Sequence, residues 1–186
     1  MPGYGGVVPR RIHDYVDPRR FVAGTVGLPG ERTFYLQASD SRSVTSVALE
    51  KAQVAMLADR LERLFAQMEV PDSAGRDDNE PLSLPLEEEF RVGALGIAAL
   101  PDDGSGDRIL IEAHALGEEE AAEPGDDDLD SADTLRVSLT MDAAAAFARR
   151  AKALVAAGRP PCPFCLQPLD PGGHICPRAN GYRRQP

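Results

Sequence analysis

Tryptophan is absent from this sequence, and aromatic residues of all kinds make up only 5% of it. With 42% hydrophobic residues a packed core is still expected, built mainly from aliphatic side chains. No apolar run is long. The longest, Val92 to Pro101, falls well short of the about 20 residues that cross a bilayer as a helix. The opening MPGYGGVVPRRIHD carries no apolar stretch of the kind a secretory signal needs, so a soluble, cytoplasmic protein is expected. Three cysteines are an odd number, a poor basis for a disulfide framework. G-x-x-x-x-G-K-[ST], G-x-S-x-G and H-E-x-x-H are all missing, which removes the motifs for phosphate-loop, hydrolase-elbow and zinc-protease chemistry. His13 and His114 remain as acid–base candidates, but a lone histidine is more commonly structural, and no catalytic residue is assigned. The balance is against an enzyme.

The net charge of −10 is unevenly placed. Residues 72–89 hold seven acids and one arginine, and residues 117–133 hold nine acids and no base. Outside these two stretches 14 acids face 19 bases, so the body is mildly basic and the acidity belongs to two loops.

What is there is concentrated at the end of the chain. Cys162, Cys165, His174 and Cys176 form C-x2-C-x8-H-x-C within RPPCPFCLQPLDPGGHICPRANGYRR. Three thiolates and one imidazole are a closed tetrahedral set for Zn²⁺. Pro163 and Phe164 suit the tight turn that aims the first pair at one point, and His174 and Cys176 fall on one side of an extended piece. Four protein ligands leave no position for water, so the expected zinc is structural. The competing reading is a redox-active Cys162–Cys165 pair, but no thioredoxin-like βαβ pattern surrounds it.

Taken in order, residues 1–19 read as an arm rich in Gly, Pro and Arg. Strands are predicted over 20–27, 32–38 and 42–49, the first two joined by a turn in which Gly30 supplies a positive φ. A helix is predicted from about Glu50 to Met68, with Val54, Leu57, Ala58, Leu61, Leu64, Phe65 and Met68 on one face. The acidic stretch 69–88 reads as a linker. Strands follow over 90–100, 107–116 and 134–139, the last two separated by the acidic loop 117–133. Thr140 then caps a helix over about 141–157, which Gly158 ends. Residues 158–186 form the tail.

The order β-β-β-α thus occurs twice, in halves 20–68 and 89–157. FVAGTVG and FRVGALG share Phe-x-x-Gly-x-x-Gly, Glu31-Arg32 matches Asp107-Arg108, and 44–65 lies on 134–155 with identities such as Val47/Val137, Leu49/Leu139 and Arg60/Arg150. The expected fold is α+β: duplicated β-β-β-α units forming an antiparallel sheet with two helices about a pseudo-two-fold axis, plus a small zinc knuckle. The glycines Gly24, Gly27, Gly93 and Gly96 read as bulges or close crossings, with backbone approach by a ligand as the alternative.

With FVAGTVGLPGERTFYLQ near the start and GRPPCPFC…HICPRANGY at the end, the chain resembles an uncharacterised family of actinobacterial proteins of unknown function. The resemblance implies no assigned activity. It implies genomic neighbours that look like a histidine phosphatase and a kinase, hence partners connected with phosphate.

Arginines gather at both ends: Arg10, Arg11, Arg19 and Arg20 in front, Arg178, Arg183 and Arg184 behind. If the ends meet they make one positive patch for carboxylates or phosphates. A zinc-stapled protein-binding or adaptor module is the leading expectation. The alternatives are a nucleic-acid-binding protein using knuckle and arginines, which sparse aromatics and two acidic loops disfavour, or an enzyme acting on phosphorylated substrates.

Overall fold

Continuous burial runs through the inner strands of the computed structural model, which describes residues 10–28, 30–71, 74–101, 104, 106–117, 133–158, 162, 164, 165 and 176. In chain order these residues form β1 (Ile12–Val16), β2 (Arg20–Val26), β3 (Thr33–Ser39), β4 (Val44–Leu49), α1 (Lys51–Gln67), β5 (Glu88–Leu100), β6 (Arg108–Ala115), β7 (Thr134–Thr140) and α2 (Met141–Ala156). Both helices begin where the sequence puts them. Glu50 and Gln53 close a capping box at α1, and the Thr140 hydroxyl accepts from the Ala143 N–H at α2. No described helix is long and apolar enough to cross a membrane.

The strands make one sheet in the order β1-β7-β6-β5-β4-β3-β2. Within each β-β-β unit the pairing is antiparallel, as expected. At the junctions it is parallel, β4 with β5 and β7 with β1, so the sheet is mixed. The strand β1 is a departure from the expected arm. It is only five residues long, and the Gly/Pro/Arg-rich flanks conceal its alternation. Tyr15 points inward and is buried, and β1 lies beside β7 as β5 lies beside β4.

Pairing registers test the repeat residue by residue. Val47 opposes Leu36 and Val137 opposes Ile111, so the third strands correspond as the identities indicate. The helices agree in phase as well: Val54, Leu57, Ala58 and Leu61 are buried in α1, and Ala144, Phe147, Ala148 and Ala151 in α2. The first strands do not follow the shared glycine pattern. Phe21 opposes Ala38 and Leu95 opposes Ala113, so Phe21 corresponds to Leu95 and Ala23 to Ile97, not Phe21 to Phe90. The displacement is five positions: β5 is 13 residues long against seven for β2, and its Phe90 and Gly93 lie in the part that precedes the stretch matching β2. Arg32 and Arg108 miss by one position, since Thr33 rather than Arg32 is the counterpart of Arg108.

A short link shapes the whole sheet. The edges β1 and β2 are joined by residues 17–19 alone. That connection lets Val16 and Arg20 lie at most about 14 Å apart, whereas the edges of a flat seven-stranded sheet stand about 29 Å apart. The sheet must therefore twist and curl until its edges approach. The Tyr15 hydroxyl reaches across the curl to Thr45 Oγ1 at 2.8 Å and Ser43 Oγ at 3.0 Å. Asp17 makes the corner at φ 48°, a left-handed conformation that aspartate tolerates, and its carboxylate accepts from Arg108 at 2.5 Å. The helices pack on one another over the core, with Phe147 of α2 stacked on Phe21 of β2 at 4.6 Å.

The stretch 69–88 departs from a passive linker. Its described residues form a strap around β2. Asp78 takes Arg20 in a fork (2.5 and 3.0 Å) and Arg150 at 3.0 Å, while Asp77 takes Arg149 at 2.7 Å. Arg149 and Arg150 also hold the strap carbonyls of Ala74 and Glu80. Further along, the buried Gln37 amide bonds both to Ser83 O and from Ser83 N, and Leu82 occupies the space a side chain at Gly24 would need, 2.5 Å from an added Cβ. The glycine is there for the chain's own close approach.

The Arg20 side chain holds the Asp78 carboxyl below its usual 3.8; burial opposes this, and the Glu80 N–H and the charges of Arg20 and Arg150 reinforce it. A carboxylate depressed in the folded state stabilises above its unfolded pKa, and that contribution is lost as pH falls through the folded value. Asp78→Asn leaves two half-buried arginines short of their counter-charge, and a loss of about 1–3 kcal/mol is expected by urea unfolding at pH 7. The deficit relative to wild type should shrink below about pH 4, where the wild type loses the same charge.

Candidate metal centre

The three thiols, separated in sequence, converge. The Sγ atoms of Cys162, Cys165 and Cys176 all lie within 4.8 Å of one another, with Cys162 and Cys176 at 3.8 Å. A disulfide needs about 2.05 Å, so these are free thiols. Thiolates bound at about 2.3 Å in a tetrahedron stand about 3.8 Å apart along its edge, which is the separation of Cys162 and Cys176. The Phe164 N–H points at Cys162 Sγ at 3.5 Å, as a turn wrapped around a thiolate requires. Burial pushes the Cys162 thiol up, but the backbone N–H groups of Cys165 and Phe164 and the neighbouring thiols outweigh it and hold it below its ordinary value. The donor set fits a metal ion. His174 lies outside the described residues, as do Arg178, Arg183 and Arg184.

The front arginines are spread over three different tasks. Arg20 serves the strap. Arg10 donates to Thr134 Oγ1 at 3.1 Å, Arg11 sits exposed 3.6 Å from Glu89, and Arg19 is exposed beside the strap groove. His13 shares Nδ1 with Thr45 Oγ1 at 3.2 Å and has Nε2 at 4.0 Å from Glu89.

The sequence singled out His114 alone, and the structure sets it in a second polar cluster with Glu112, Arg136 and Thr134. Glu112 is 1% exposed and accepts from Arg136 Nε at 2.5 Å. His114, one turn of the pleat away on β6, bonds Thr134 Oγ1 through Nδ1 at 2.9 Å. Its Nε2 is buried without a hydrogen bond, 3.8 Å from Glu112. The signal was present in RILIEAHA, where a carboxylate and an imidazole share one face of an apolar strand. For the strap it was the doublet Asp77-Asp78 answering Arg149-Arg150.

Burial lowers the His114 pKa below 6.5; Glu112 opposes the shift, while Arg10 and Arg136 add to it. In the folded protein His114 therefore resists protonation, and the unfolded chain takes the proton first as pH falls. Stability should decline from about pH 7 towards pH 5, levelling once the folded histidine also titrates. His114→Asn, which keeps a donor near Nδ1, should flatten that slope in chemical unfolding measured at several pH values.

A family model described as "Protein of unknown function (DUF3090)" matches residues 13–176, from the second residue of β1 to the third cysteine. No curated protein and no solved structure matches the chain.

Proposed function

We propose that this chain, which belongs to the DUF3090 family of proteins of unknown function, is a protein-binding module whose tail folds around one structural zinc ion. The observation that carries the metal is the 3.8 Å separation of the Cys162 and Cys176 sulfurs with the Cys165 thiol alongside. His174, two residues before Cys176, completes a Cys₃His set in this reading. Three clustered free thiols suit the reducing cytoplasm, where metal rather than disulfide holds them.

The binding role draws support from how the polar groups are employed. Glu112 and Arg136 serve each other, Asp78 serves Arg20 and Arg150, and Asp17 serves Arg108. These pairs tie strands and strap together. An open groove between α1 and β5, about 740 Å³ in volume, is lined by Met56, Leu64, Ile97 and Ala99 with arginines on its rim. Apolar floor with a charged rim is the pattern of a protein contact.

Elemental analysis of protein purified without chelator should give one zinc per chain, and Cys176→Ser should release it while far-ultraviolet dichroism retains both helices. Absence of zinc ends the metal reading. For the partner class, capture from native lysate should survive nuclease treatment and depend weakly on salt. Recovery that vanishes with nuclease, or affinity falling log-linearly and steeply with salt, identifies nucleic acid instead.

A further inference from the structure

The two helices are counterparts, and their outer flanks are used differently. With caps Glu50 and Thr140 aligned, Met56 stands where Ala146 stands, Asp59 where Arg149 stands, and Arg60 where Arg150 stands. On α2 this flank is occupied by the chain itself. Gly75, at φ 74°, lies against the Asp142 carbonyl and the Ala146 methyl, so close that no side chain fits there. Arg150 holds the Asp78 carboxylate, the Glu80 carbonyl and, across the groove, the Ala23 carbonyl of β2 at 2.8 Å. An extended acidic segment is thereby clamped between a helix and the first strand of the other unit.

On α1 no described residue covers the corresponding flank. Met56, Asp59, Arg60 and Arg63 line the 740 Å³ groove together with Ile97 and Ala99 of β5. By pairing register Ile97 is the counterpart of Ala23, so Arg60 faces across this groove the strand position that Arg150 grips in the other. Met56 is 55% exposed. Arg60 and Arg63 are exposed and enter no ion pair with described residues.

We infer that the groove between α1 and β5 is the docking site for an extended acidic segment of a partner protein, held as the chain holds its own strap. Arg60 takes a carboxylate and backbone carbonyls, as Arg150 does. Arg63, one turn further on, replaces the second cation that Asp59 removes from the Arg149 position. A small residue of the incoming segment rests near Met56, whose flexible side chain adapts to it. This inference rests on the protein-binding reading and names its surface and the chemistry of its partner.

The probe is a synthetic peptide with the sequence of residues 74–83, AGRDDNEPLS, added to full-length protein carrying ¹³C-methyl methionine. The expected result is a saturable shift of the Met56 methyl resonance. The shift should be absent with the peptide carrying Asp77→Asn, Asp78→Asn and Glu80→Gln. The Arg60→Glu/Arg63→Glu protein should bind the acidic peptide at least about ten-fold more weakly, while Arg42→Glu, a charge reversal on the exposed β3–β4 turn, should not. Thermal unfolding of each variant checks that the fold is kept. An unmoved Met56 methyl, equal binding of both peptides, or a Met56 shift that depends on protein concentration without peptide overturns the inference, the last by showing a second copy in the groove. Capture from lysate separates this from the broader reading. A partner retained equally by Arg60→Glu/Arg63→Glu removes the groove but keeps the binding module. A peptide that binds as expected while wild type captures no protein keeps the groove and removes the module.

Discussion

Three residues between β1 and β2 join the two edges of a seven-stranded sheet, and most of the molecule follows from that link. An edge-to-edge connection this short is possible only if the sheet wraps, because backbone reach is limited to about 3.3–3.6 Å per residue. Wrapping places the inward side of β1 against the start of β4, where Tyr15 finds Thr45 and Ser43. It also gives the halves a cyclic relation. The helix after the first unit borders β5, the first strand of the second, and the helix after the second borders β2, the first strand of the first. The parallel junction of β4 with β5 is matched by β7 with β1, so β1 fills the place where the ring returns to its beginning.

Edges of sheets are open to pairing with other chains, and this fold protects one of them with charge. The strap crosses from the helix side of β2, where Asp77 and Asp78 meet Arg149, Arg150 and Arg20, to the opposite side, where Ser83 meets Gln37. Acidity that looks like a solvated loop in sequence is in part the counter-charge of a half-buried arginine set. Arg150 is the clearest case: burial lowers its pKa, Asp78 counters this, and Arg20 adds to it. Forked guanidinium groups suit the task because each can hold a carboxylate and several carbonyls together.

The internal duplication has kept its helices in phase while letting their outer flanks diverge. Arginine persists at 60 and 150, but Ala146 and Arg149 have Met56 and Asp59 as counterparts. The strap needs a small residue against which Gly75 can close, and Ala146 provides it. A methionine in that place fills space instead, and the groove beside α1 is left uncovered by the described residues. The thiol cluster at the tail is independent of this asymmetry: its three cysteines come from a separate stretch, after α2 has ended.

Much of the fold was legible in the sequence because the informative interactions are local. The stripe Val54, Leu57, Ala58, Leu61 fixes a helix through a period that needs no partner, and the Thr140 cap fixes its neighbour's start. The approach of Cys162 and Cys165 follows from a short spacing and a turn; their meeting with Cys176 follows from ligand chemistry. Other features were decided only by tertiary structure. Whether β1 is an arm or a strand depends on β7, more than a hundred residues away, offering it hydrogen bonds. Whether Phe21 answers Phe90 or Leu95 depends on which part of the 13-residue β5 pairs with β6, and that register is set by the partner strand. The strap's acids are indistinguishable in sequence from those of a solvated loop, since what separates them is the arginines that folding brings near. Sequence alone determined every element but β1, because their forces act within a turn or a pleat; β1, register, curl and charge pairing were left to the tertiary structure, because they depend on partners that only the folded chain brings together.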